Sequence, residues 1–218
     1  MAAIADNLQL VRARLAAAPG VTLLAVSKSQ GVARVREAAA AGQKAFGENY
    51  VQEALEKMEL LPGLEWHLIG PLQSNKTRIA AERFDWVQTV ASEKIARRLS
   101  QQRPADRPAL NVLIQVNVSG ETTKSGVELD EAGSLARAIQ QMPRLKLRGV
   151  MAIPEPGAER SRYHAVKQLY DALRDEFDID TLSMGMSDDL DVAIAEGATM
   201  VRIGTAIFGA RKKQKDAA

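Results

Sequence analysis

The sequence predicts an α/β fold, a single (β/α)8 TIM barrel, on three observations. Eight short apolar segments recur along the chain, helical stretches separate them, and a length of 218 residues suits one barrel of this kind. Periodicity alone does not show that a sheet closes, so an open doubly wound sheet is the alternative.

The elements follow in order. Ile4, Leu8, Val11 and Leu15 recur at helical spacing and stop at Pro19-Gly20, which predicts an amphipathic helix ahead of the first strand. The strand candidates are "TLLAVS" (22–27), "KAFGE" (44–48), "EWHLIG" (65–70), "WVQTV" (86–90), "NVLIQVNV" (111–118), "LKLRGVM" (145–151), "TLSMG" (181–185) and "TMVRIG" (199–204). Between them "VARVREAAAAG", "YVQEALEKME", "SEKIARRLSQQ", "LDEAGSLARAIQQM", "RYHAVKQLYDALRDEF" and "SDDLDVAIAEGA" read as helices. Several end in Gly or Pro, and "SDD" supplies an N-cap with acidic residues for the positive end of the dipole. "RPADRPA" (103–109) and "IPEPGAE" (153–159) are short enough to be loops inside one domain.

Composition excludes several function classes. Hydrophobic residues at 46% and charged residues at 26% are ordinary for a folded globular chain. Lys plus Arg number 29 against 27 Asp plus Glu, and a net charge of +2 predicts neither nucleic acid nor an anionic membrane as partner. The tail "RKKQK" (211–215) is basic but reads as a solvated end. The absence of cysteine rules out disulfides, thiolate metal sites and a cysteine nucleophile. Asp6, Arg12 and Arg14 interrupt the stretch that a signal peptide would keep apolar, and no run approaches the ~18 apolar residues of a membrane span, so the cytoplasm is the expected location. His67 and His164, the only histidines, stand far apart with no carboxylate pattern beside them, and no metal site is expected. "GETTKSG" (120–126) has the flavour of a phosphate loop, but Thr123 stands where a glycine is required before Lys124, which argues against a nucleotide. Lys124 then reads as a solvated loop lysine or as one approaching an anionic ligand.

Chemistry enters with Lys28, which ends the first strand. In a barrel the C-terminal ends of the strands carry the site. A lysine there, flanked by an apolar strand, is partly desolvated, which favours the neutral amine that attacks a carbonyl; the alternative is a lysine whose stem leaves the strand and carries its charge to water. "VRIGTAIFG" (201–209) closes the last strand with Gly204-Thr205 and starts a short helix, and "LSMGMSDDL" (182–190) ends the seventh strand with Ser183, Gly185 and Ser187. Loops after strands seven and eight form the usual phosphate cradle of barrels. Arg202 alternates with Val201 and Ile203, so its guanidinium lies within the barrel or against the helices and needs a specific acceptor, a ligand's ring nitrogen or a core carboxylate. An amine for an aldehyde, a cradle for a phosphate and a cation for a ring nitrogen are the three handles of pyridoxal 5′-phosphate, PLP. Lys28 would hold it as an aldimine.

The segments "LLAVSKSQ", "AFGENYVQEALEK", "EWHLIGPLQSNK", "GETTKSGV", "LRGVMAIP" and "LSMGMSDDLDVAIAEGATMVRIGTAIFGAR" together resemble the pyridoxal phosphate homeostasis proteins, whose fold is similar to the N-terminal barrel domain of alanine racemase. The resemblance implies Lys28 as the aldimine lysine, Arg202 on the pyridine nitrogen, Ser183, Gly204 and Thr205 on the phosphate with Ser187 nearby, and Asn49 and Met151 lining the pocket. His67, Asn75 and Lys76 fall in a family signature without an assigned role. Residues 1–211 are expected to form the PLP-binding barrel and 212–218 a basic, flexible tail. The chain runs only nine residues past Gly209, so the second domain that gives alanine racemase its tyrosine base is not expected, and the cofactor's outer face should be open.

The resemblance thus implies a monomeric carrier of PLP that supports vitamin B6 homeostasis without substantial turnover, with PLP-requiring apo-enzymes as recipients. Two enzymatic alternatives are a PLP-dependent amino-acid racemase and a Schiff-base aldolase acting on a sugar phosphate.

Overall fold

The computed structural model describes residues 3–119 and 125–209. The tail 212–218 and Lys124 lie outside these residues. Eight parallel strands close into a barrel in chain order: β1 (Thr22–Val26), β2 (Ala45–Glu48), β3 (Glu65–Leu68), β4 (Trp86–Val90), β5 (Leu110–Val116), β6 (Leu145–Ala152), β7 (Thr181–Ser183) and β8 (Met200–Ile203). Closure is made by β1 on β8, with Thr22 opposite Met200 and Leu24 opposite Arg202, so the open-sheet alternative is excluded.

Helix α1 (Ile4–Leu15) precedes β1 and buries Ile4, Leu8, Val11 and Leu15, the predicted face. The remaining helices are α2 (Val32–Ala40), α3 (Val51–Leu60), α4 (Thr77–Arg83), α5 (Glu93–Gln102), α6 (Ala132–Gln140), α7 (Arg160–Glu176), α8 (Leu190–Ala195) and the short α9 (Thr205–Phe208). All six expected helices form. The sequence pattern predicts no helix between the third and fourth strands, yet a turn of 3-10 helix at Ser74–Lys76 leads into α4 there. That helix is only two turns long and leans on Thr77, Ala80 and Ala81, small residues that give a weak apolar signal. No described helix is long and apolar enough to cross a membrane.

The core divides as the barrel geometry requires. One large cluster fills the space between sheet and helices and contains Ala25, Val201 and Ile203. Two small ones lie inside the barrel: Leu24, Ala45, Ile69 and Met200, and separately Trp86, Leu113 and Met151. In β6 the register slips, Val112 standing opposite Leu147 and Leu113 opposite Gly149. This bulge at Arg148 reverses the alternation, so that Leu145 and Leu147 face the helices while Met151, two full steps on, faces inward. Gly149 is required there: at φ 146° a Cβ would fall 1.8 Å from the Thr181 carbonyl oxygen.

Candidate cofactor site

Lys28 stands half-buried at the rim, just past the end of β1. The backbone on both sides of it is held by a cluster of three charges. Lys57, buried on α3, donates to the Ser27 carbonyl, to Glu48 Oε1 and to Glu53 Oε1, each at 2.7 Å. The Ser27 hydroxyl donates to the same Glu48 oxygen at 2.5 Å, and Glu53 Oε1 accepts the Ser29 N–H at 2.6 Å. Ser29 has φ 61°, the only positive φ outside glycine among the described residues. A left-handed serine costs about 1–3 kcal/mol and persists where its surroundings dictate it, here through Glu53. Burial pushes the Glu48 carboxyl up, while the Lys57 charge and hydrogen bond pull the other way; Glu48 Oε2 has no hydrogen-bond partner.

A cavity of about 210 Å³ opens beside Lys28, lined by Val26, Asn49, Ile69, Ile153, Met186, Ser187, Asp188, Arg202, Gly204 and Thr205. Six predicted site residues thus converge: Lys28, Asn49, Ser187, Arg202, Gly204 and Thr205. Ser183 and Met151 do not reach its wall. Met151 packs on Trp86 and Leu113 inside the barrel, and Ser183, fully buried, hydrogen-bonds Arg202 and Gln88 beneath the cavity floor. A second hollow of about 330 Å³ adjoins, sharing Asn49, Ile69 and Ile153. Together they fall in the range of small-molecule sites, about 300–1,000 Å³.

Arg202 takes the first of the two placements its strand allows, inside the barrel. Its Nη1 donates to Ser183 Oγ and its Nη2 to the Ala152 carbonyl, both at 2.8 Å. No core carboxylate pairs with it among the described residues. Burial brings its pKa down to about 10, opposed by the charge of Asp189, so it remains a cation at neutral pH.

Asp189 shapes the opposite wall. Its carboxylate accepts the Met186 N–H at 2.5 Å and the Tyr163 hydroxyl at 2.7 Å. The expected capping role is therefore replaced: Asp189 stands at the N-cap of α8 without a side-chain cap bond, and the carboxylate holds the loop that carries Ser187 and Asp188. Gly185, at φ 96°, lets this loop pass within 2.5 Å, measured from a would-be Cβ, of the Ala193 Cβ.

Both histidines have a carboxylate partner, which corrects the expectation of none. His67 Nε2 lies 2.8 Å from Glu65 Oε1, and His164 Nδ1 lies 3.0 Å from Glu196 Oε2. Glu65 and His67 alternate on one strand, a period-2 pair that the sequence displays. His67 is fully buried, and burial lowers its pKa below the ordinary 6.5, the bond to Glu65 opposing. Below 6.5 the unfolded chain therefore takes up a proton that the folded chain refuses, and stability falls as the pH drops from there toward the lower folded value. The His67→Gln variant should show a shallower loss by up to about 1.4 kcal/mol per pH unit, read from urea unfolding at several pH values. Glu48, raised by burial, acts in the opposite sense above 4.5 and is common to both proteins, whereas Glu65, held below the usual carboxylate range first by its bond to His67, changes with the variant, so the difference reports His67 between pH 6.5 and 4.5.

Asn75 and Lys76 sit in the turn before α4, Lys76 on a separate hollow shared with Asn49 and Tyr50.

A closed parallel barrel with a lysine at the end of its first strand, and a buried arginine and two hydroxyls from its last two strands and their loops around the same cavity, has at its mouth the groups that suit an anionic carbonyl ligand. Residues 1–212 match the family described as the alanine racemase N-terminal domain. The pyridoxal phosphate homeostasis protein of Pseudomonas aeruginosa is 57% identical over 97% of both chains, and that of Escherichia coli K12 is 52% identical over 97% of this chain and 98% of its own. The solved structure of PipY from Synechococcus elongatus with PLP bound is 36% identical and superposes with a TM-score of 0.85 over 94% of this chain and all of that one. Alanine racemase from Corynebacterium glutamicum, at 19% identity and a TM-score of 0.80, shares the fold over 62% of its length. The chain belongs to the pyridoxal phosphate homeostasis protein family.

Proposed function

We propose that the chain binds PLP as a Schiff base with Lys28 and serves intracellular vitamin B6 homeostasis without substantial turnover. The observation that carries the reading is the convergence in one cavity of an amine, a buried guanidinium and two hydroxyls beside a glycine, with Val26, Ile69 and Ile153 as apolar walls. PLP, when bound, supplies an aldehyde and an electron-withdrawing ring. Lys28 would hold the aldehyde carbon through its amine, with water as the leaving group; Ser187 and Thr205 would donate to the phosphate, where Gly204 leaves room for close approach. Asn49 would border the ring, and Ser183 and Met151 would act from below, through Arg202 and through packing.

Arg202 argues for holding rather than turnover. A fixed cation against the ring nitrogen disfavours its protonation and weakens the ring as an electron sink. The homeostasis role itself is motivated by the relatives' names. The same reading makes the chain a monomeric cytoplasmic carrier whose recipients are PLP-requiring apo-enzymes.

Borohydride reduction of PLP-loaded protein, followed by peptide mass mapping, is expected to place the adduct on Lys28. Incubation with L-alanine and other amino acids should yield no sustained racemisation by chiral analysis. Steady turnover would overturn the carrier reading in favour of the racemase, and Asp188, the carboxylate on the cavity wall, would be the first base to test.

A further inference from the structure

Below the cavity, five side chains from four strands form one unbroken line across the barrel interior. Arg202 on β8 donates to Ser183 on β7 at 2.8 Å; Ser183 Oγ lies 2.7 Å from Gln88 Oε1 on β4; Gln88 Nε2 lies 2.8 Å from His67 Nδ1 on β3; and His67 Nε2 lies 2.8 Å from Glu65 Oε1, where β3 begins. His67 and Gln88 are fully buried, while Glu65 is half-exposed at the other end of the barrel. None of these side chains except Arg202 touches the cavity.

Donor chemistry fixes the direction of every link. A guanidinium can only donate, so the Ser183 oxygen accepts from it, and with the acceptor Gln88 Oε1 as its other neighbour the hydroxyl sends its own proton there. Gln88 then presents its carbonyl oxygen to Ser183 and its amino group to His67, with a further contact of 3.2 Å to Met200 Sδ. His67 Nδ1 is left bare as an acceptor, and its single proton sits on Nε2, facing Glu65. A second proton would collide with the Gln88 amino group. Trp86 stacks on the ring at 4.9 Å with Arg148 on that indole at 4.6 Å, which adds another cation against charging the imidazole.

We propose that Ser183, Gln88 and His67 are positioning residues, a one-way hydrogen-bond chain that fixes the Arg202 guanidinium against the ring nitrogen of the cofactor and couples its charge to Glu65 at the far end of the barrel. The inference rests on the reading that PLP occupies the cavity with its ring nitrogen on Arg202. Neutral links carry no charge of their own, so the line holds a cation at the site and its counter-charge at the opposite face. Such chains polarise along their length and are stronger for being fully satisfied.

Two measurements decide it. In 15N-labelled protein without PLP, long-range 1H–15N correlation should show His67 as the neutral Nε2–H tautomer at neutral pH; an Nδ1–H tautomer or an imidazolium would overturn the chain. In PLP-loaded protein, Ser183→Ala and Gln88→Glu should shift the absorbance maximum of the bound cofactor, while His67→Gln, which can accept from Gln88 and donate to Glu65, should restore the wild-type spectrum that His67→Leu loses. Unchanged spectra in Ser183→Ala and Gln88→Glu, with Lys28 still labelled by borohydride, would refute the positioning role. Failure to label Lys28 in the wild type would instead remove the reading beneath it, and the tautomer, measured without cofactor, would still judge the chain itself.

Discussion

Lys28→Ala protein mixed with PLP is expected to emerge colourless from gel filtration and to carry no borohydride-stable adduct. What remains is a cavity with its hydroxyls and Arg202 in place but no amine for the aldehyde. Apparent affinity should fall on the order of a hundredfold, about 2.7 kcal/mol where each tenfold is about 1.4 kcal/mol. Phosphate recognition should survive. Ser187→Ala with Thr205→Val is the complementary case, weakening PLP but leaving pyridoxal, which lacks the phosphate, at its wild-type affinity. An absorbance band in Lys28→Ala like that of the wild type would place the covalent link elsewhere.

Lys57→Met should cost the fold about 3–5 kcal/mol, the usual penalty for stripping one partner from a buried ion pair. The methionine fills the space but leaves Glu48, fully buried, with the Ser27 hydroxyl as its remaining donor, and leaves the Ser27 carbonyl and Glu53 without the ammonium. Urea unfolding reads the loss directly. Because Ser27 and Ser29 flank Lys28, the variant should also trap PLP more slowly under borohydride. The double variant Glu48→Gln/Lys57→Met, which removes the stranded charge, should recover part of the stability. A loss under about 1 kcal/mol in the single variant would mean that the cluster behaves like a surface pair.

Lys57 also shows what the sequence hides. In "YVQEALEKME" a lysine reads as part of a solvated helix face, yet Val51, Ala54 and Lys57 are spaced i, i+3, i+6 and share the buried one. That spacing is visible, but the acceptors of Lys57, Ser27 just past one strand and Glu48 on the next, become neighbours only when the barrel forms. By contrast Lys28 is legible because it depends on local facts alone: an apolar strand, its end, and the rule that barrels do chemistry at that end. The glycine-and-hydroxyl loops are legible for the same reason.

Depth inside the barrel is not local. Alternation says that Ser183 faces inward, but its height is set by pairing, which puts Ser183 opposite Met200, two residues before Arg202, and so a layer below the cavity. Met151 is harder still. Strict alternation from Leu145 would turn it toward the helices, and only the bulge at Arg148 brings it inside. Eight strands, their order and the mouth residues follow from the pattern; register and bulges do not.

Helix α1 has a partner at the far end of the chain. The Asn7 amide donates to the Ile207 carbonyl in α9 at 2.9 Å across 200 residues, and Arg34 of α2 donates to the Phe208 carbonyl beside it. Helix α1 is thus synthesised well before the segment that completes its packing. At about 5–20 residues per second the interval is roughly 10–40 s, during which the helix that carries Leu8, Val11 and Leu15 can pack on α2 but not yet on α9. The order of synthesis, rather than the sequence local to α1, sets when that apolar stripe can meet α9.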